Sequence, residues 1–102
     1  WAFHVFLRHV DRGLNLQESI DAPEFHTDHL ISSFYPRGFV PRSLDLEARF
    51  GSAVIDDLRA RGHEVTVTPD WSLGRVTAVQ KADGQLRAAA NPRGMQGYAA
   101  GR

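Results

Sequence analysis

Apolar residues recur at helical spacing from the first turn of the chain. Phe3, Phe6, Leu7 and Val10 fall at i, i+3, i+4 and i+7, which stacks them on one face, while Arg8, Asp11 and Arg12 lie off it. The spacing predicts an amphipathic helix that buries this stripe. Gly13 can take the left-handed conformation that ends a helix, and Arg12 before it suits the negative end of the helix dipole. A second, shorter helix opens on Asn15 as N-cap, with Glu18 at capping-box spacing and Leu16 and Ile20 on its inner side. Pro23 stops it, because proline disfavours the helical conformation in the residue before it.

Beyond Glu24 the pattern loosens. Residues 25–31 read as extended, with imperfect alternation. Residues 34–42 (FYPRGFVPR) hold Pro36, Pro41, Gly38 and the rings of Phe34, Tyr35 and Phe39, which predicts an ordered loop with its aromatics packed beneath it. Leu44, Leu46, Ala48 and Phe50 then alternate with Asp45, Glu47 and Arg49, a strand with one face in and its charged face out. Gly51-Ser52 breaks that strand. Ser52 is the expected cap of a helix reaching about Arg61, with Val54, Ile55 and Leu58 inward, Asp56 and Asp57 near its start, and Gly62 as its stop. Residues 63–68 form a short strand with Val65 and Val67 on one face, and Pro69-Asp70 turns the chain. Residues 75–81 and 85–90 read as a hairpin across Asp83-Gly84. Val76, Ala78 and Val79 are apolar on both sides of its first strand, which predicts cover on both faces. Residues 91–102 carry Gly94, Gly97, Gly101 and Pro92 and read as irregular. The order predicts one α+β segment over 1–102, helices packed on a mostly antiparallel sheet.

Charge narrows the partners. Twelve Lys and Arg balance twelve Asp and Glu over 102 residues, so nothing favours a nucleic acid, which would call for a basic excess, or an anionic membrane surface. There is no cysteine, which removes disulfides and thiolate metal sites. No apolar run approaches the roughly 20 residues a membrane-spanning helix needs. The chain opens on Trp1 rather than Met, as a processed product or a piece with its true start upstream would.

The residues by themselves nominate no catalytic, substrate-binding or metal site and imply no cofactor. His26, Asp28 and His29 cluster, but on an extended segment His26 and Asp28 share a face and His29 points away; as a helix the cluster lacks a third ligand. Partly exposed polar histidines are the simpler reading. His4 and His9, five apart on a helix, do not face each other. Ser32, Ser33, Ser43, Ser52 and Ser72 lie in no G-x-S-x-G elbow, and Thr27, Thr66, Thr68 and Thr77 are internal, so none is an amino-terminal nucleophile. Asp56-Asp57 reads as a solvated helix face. Gly94, Gly97 and Gly101 lack the strand-then-helix setting of a nucleotide loop. Phe34, Tyr35 and Phe39 beside Arg37 could stack on a base or a ligand, but packing is the favoured reading.

Three stretches in order nonetheless carry a resemblance. GLNLQESIDAPEF (13–25), continued by His26, resembles the "G-mnlqeAi-aPRFh" segment of gamma-glutamyltranspeptidases. LRARGHEV (58–65) is similar to a helix end and strand start of the same enzymes. DWSLGRVTA (70–78), then Asp83-Gly84 and AAANPRG (88–94), looks like their closing hairpin and "G-aDPRg" ending. Glu24 stands where the family usually has arginine, Asn91 where it usually has aspartate, and the loop 32–42 looks longer than the common form. These departures suggest a divergent branch with a different acyl donor.

The resemblance implies the C-terminal part of the small subunit of an αββα N-terminal-nucleophile hydrolase. In such an enzyme a precursor cuts itself before a threonine, whose hydroxyl attacks a gamma-glutamyl amide such as glutathione while its own amine acts as base. Water, an amino acid or a peptide then takes the acyl group. The threonine, the serine pair, the acidic residue that grips the substrate amine and the glycine pair of the oxyanion hole all belong upstream of the matched segment, so no residue here inherits a role. Trp71 and Arg75 are read as packing or surface-pairing residues. The expected partner is the remainder of the precursor, and self-association is expected of the isolated piece, whose unpaired strand edges and apolar faces would be bare. The contrasting expectation is a free-standing, non-catalytic α+β interaction module.

Overall fold

A computed structural model describes residues 1–95 and 97–100. The chain divides into two compact units, one built from Trp1–Ala22 with the segment from Gly74 onward, the other from Pro23–Leu73.

In the first unit, helix α1 (Ala2–Val10) is followed by α2 (Leu16–Asp21) and by a hairpin of β4 (Thr77–Ala82) and β5 (Gln85–Ala90). The capping box of α2 forms as expected: Asn15 Oδ1 accepts from Glu18 N and Glu18 Oε2 from Asn15 N, both at 2.9 Å. The hairpin turns on Asp83 (φ 52°) and Gly84 (φ 73°), the successive positive φ values that match a tight turn to strand twist. Its register pairs Ala78 with Ala89 and Val79 with Ala88. Ala89 joins Val5 and Ile20 in a small core, with Leu16, Val76 and Ala78 against it.

Two expectations fail in this unit. Most of the predicted inner stripe of α1 faces outward: Phe3 is 67% exposed and Phe6 58%, while Leu7 is half-buried and Val5 buried. Polar anchors set that rotation. His9 Nδ1 bonds the Leu14 carbonyl at 2.7 Å, His9 Nε2 bonds Gln80 Nε2 at 2.8 Å, and Arg8 Nη1 donates to the Ser19 carbonyl at 3.2 Å. The second failure is in the hairpin, where only the Ala78/Ala89 face is covered within the described residues. Val79 and Leu86 on the opposite face are each 76% exposed. Residues 91–95 and 97–100 carry only a 3-10 turn, Arg93–Met95. The ends of the predicted tail, Gly101 and Arg102, lie outside the described residues, as does Gln96.

The second unit is a three-stranded sheet in the order β1-β2-β3. β1 (Phe25–His26) runs antiparallel to β2 (Ser43–Glu47), and β2 runs parallel to β3 (Glu64–Thr68) with α3 (Ser52–Ala60) as crossover. Leu44, Leu46 and Ile55 form its core, with Phe25, Phe50, Leu58 and Val65 packed against them. Counting the hairpin, two of the three strand pairings among the described residues are antiparallel. The apolar alternation over 44–50 overran the strand, which stops at Glu47; Ala48–Phe50 is a 3-10 turn. Ser52 does not cap α3. Gly51 holds the N-cap at φ 82°, a left-handed backbone that suits glycine, and Ser52 is the first helical residue. Val54 and Val67 sit partly in solvent, while Ile55 and Val65 turn inward. Among the described residues no helix is long and apolar enough to cross a membrane.

Candidate functional site

A cavity of about 580 Å³ lies in the second unit, walled by Phe25, Leu30 and Leu44 with Thr27, His29 and Arg42 around them. The backbone shapes it through side-chain bonds. Thr27 Oγ1 donates to the Ser43 carbonyl and accepts from His29 N, and Ser43 Oγ accepts from Asp28 N. His29 Nδ1 accepts the Arg42 N–H at 2.7 Å, so the neutral ring carries its proton on Nε2. Cationic groups at the rim are paired, Arg42 with Glu64, and Arg61 with Asp57 at 2.8 Å. The walls can hold an apolar group. The Thr27 hydroxyl proton is committed to the Ser43 carbonyl, so Thr27 is not an activated nucleophile here.

The candidate histidines fall as an extended segment dictates. His26 Nε2 lies 3.1 Å from Asp28 Oδ1, and His29 turns away to Arg42. Among the described residues, no group of three His, Cys, Asp or Glu could hold a metal. Asp56 and Asp57 do not converge on a common point; each pairs with an arginine of its own region, Arg59 and Arg61. Gly94 sits at φ 69° inside the 3-10 turn and Gly97 stands against Thr77, not at a helix start after a strand. Phe34 and Tyr35 do not pack beneath their loop but are 81% and 94% exposed.

Two buried polar junctions escaped the sequence pattern. Glu47, read as a solvent-facing strand residue, is fully buried. Its Oε1 accepts from Leu73 N at 3.0 Å, and its Oε2 accepts from Glu24 N at 3.1 Å and from Arg49 Nη2 at 2.8 Å. The Arg49 guanidinium lies 3.6 Å over the Trp71 ring, which gives Trp71 its anchor in this unit. In the first unit Asn91 Nδ2 donates to the Gly74 carbonyl and Asn91 Oδ1 accepts from Arg93 N, both at 2.7 Å. The Arg93 side chain donates to the carbonyls of Ile20 (2.7 Å) and Ala22 (2.9 Å), satisfying acceptors that the end of α2 leaves open. The NPRG motif was the only signal for this junction. For Glu47 there was none, since its position in the alternation marks it as outward.

Comparison with known proteins agrees with the motifs. The sequence profile of the Gamma-glutamyltranspeptidase family matches residues 1–101. The oxamate amidohydrolase proenzyme of Klebsiella pneumoniae subsp. pneumoniae is 39% identical over 100 residues, covering 95% of this chain and 18% of that protein. The solved structure of LmbA2991T421A superposes with a TM-score of 0.91 at 53% identity, over 100% of this chain and 19% of that one. An acivicin-inhibited gamma-glutamyltranspeptidase superposes at 0.65 with 26% identity, over 92% of this chain and 46% of that one. The chain therefore spans less than a fifth of the length of the first two relatives. Its helices and mostly antiparallel sheets are those of the N-terminal-nucleophile hydrolase class. Motif order, profile and superposition agree that these residues belong to the gamma-glutamyltranspeptidase family.

Proposed function

We propose that this chain is a structural segment of an amide-cleaving enzyme whose reactive threonine lies in a part of the precursor outside these residues. The observation that carries the reading is the bare apolar surface of the first unit. Phe3, Phe6 and Val10 on α1, and Val79 and Leu86 on the hairpin, are each more than half exposed, an arrangement suited to contact with further polypeptide. The proposed chemistry is attack of an N-terminal threonine hydroxyl on an amide carbonyl, expulsion of the amine and transfer of the acyl group to an acceptor. The donors considered are gamma-glutamyl amides, glutathione included, with water, an amino acid or a peptide as acceptor. The likeness to an oxamate amidohydrolase proenzyme favours a small amide and water. In the acivicin-inhibited relative the C-terminus has critical roles in autoprocessing and catalysis, and a supporting part for the segment after β5 follows by analogy.

The test compares the full precursor with the 102-residue piece. The precursor is expected to cut itself ahead of a threonine and to release product from a gamma-glutamyl anilide or from oxamate, while the piece alone releases none. Turnover by the isolated piece would refute the reading, and a reading frame starting near Trp1 would replace it with a free-standing module.

A further inference from the structure

The loop over 34–42 was expected to bury its rings, and the stretch 30–40 that includes most of it does the reverse. Leu30, Ile31, Phe34, Tyr35, Phe39 and Val40 are all more than half exposed, Tyr35 at 94%. The loop is nonetheless built. Val40 N donates to the Asp28 carbonyl at 2.7 Å, Ser32 N to the Gly38 carbonyl at 3.0 Å and Arg37 N to the Phe34 carbonyl at 2.7 Å, so its two arms are tied together. A preformed loop presenting this much apolar surface has the makings of an interaction site, because ordering cost is already met and water is the poorest occupant.

Charge and length select the partner. From His29 to Arg42 the sequence has no Asp or Glu, and Arg37 makes no ion pair among the described residues. A two-fold contact between copies of the loop would place two Arg37 guanidiniums in one apolar patch, an unfavourable match. The relatives meanwhile extend far beyond the matched region, which is 18% and 19% of their lengths. We propose that the 30–40 loop docks on the remainder of its own precursor, against an apolar surface bearing at least one carboxylate for Arg37. This rests on the functional reading above.

The experiment uses the full-length chain with Tyr35→p-benzoylphenylalanine, a position exposed enough to leave the unit's own core untouched. An equal mixture of isotopically heavy and light protein is irradiated and the cross-linked peptides are mapped by mass spectrometry. The expected result is links within one copy to peptides outside residues 1–102. Links between heavy and light copies, links confined to 1–102, or no peptide links would each overturn the inference. As a second measure, Phe34→Ser with Tyr35→Ser should raise hydrogen exchange in the contacted peptide about tenfold; unchanged exchange would count against docking. A precursor that cuts itself and turns over an amide yet gives no such links sinks the docking inference alone. Links without turnover sink the functional reading alone.

Discussion

Glu47 shows how one buried carboxylate can organise a unit. It is fully buried and accepts from Glu24 N, Leu73 N and Arg49 Nη2. Glu47→Ala would leave two backbone donors and a guanidinium without this acceptor, and should cost about 3 kcal/mol or more in chemical unfolding. Glu47→Gln keeps the shape but turns an amide donor toward at least one of those groups, so an intermediate loss is expected. Asn91 is the second test. Its amide donates to Gly74 and accepts from Arg93 at once, which a carboxylate cannot do. Asn91→Asp, the residue usual in the family, should therefore destabilise this chain by about 1–3 kcal/mol in the same assay. An unchanged midpoint would show that Gly74 finds another donor.

At the scale of elements, local chemistry fixed boundaries more faithfully than facing. The α2 capping box formed where Asn15 and Glu18 are spaced for it, and Asn15→Ala should cost about 1 kcal/mol, read as a lowered thermal midpoint. The hairpin turned on Asp83-Gly84. Helix α1 existed where its period placed it, yet it turned the phenylalanine stripe outward, because His9 and Arg8 bond Leu14, Gln80 and Ser19 on the other side. Periodicity reports that a face will be covered, not by what. The isolated piece should accordingly self-associate, and Phe3→Ser with Phe6→Ser should reduce its apparent mass in light scattering. A monomer that the double substitution leaves unaltered would sink this prediction. The strand over 44–50 was overread for a related reason: alternation continued through Phe50, but a 3-10 turn from Ala48 to Phe50 ended the pairing.

For the whole molecule, the sequence by itself determined the family and the α+β class, since ordered motifs and local capping and turn residues depend only on neighbours along the chain. No residue present matched a motif of the family's chemistry, and the proposal that the reactive threonine lies elsewhere in the precursor rests on that. Tertiary structure alone decided that β2 and β3 run parallel, that Glu47 is buried, that Arg93 closes the end of α2, and that the 30–40 loop shows its rings to solvent. Each of these depends on which distant backbone donors, acceptors or apolar surfaces arrive beside a residue. Hydrophobic burial is non-directional, so a pattern of apolar positions cannot name the surface that will meet them.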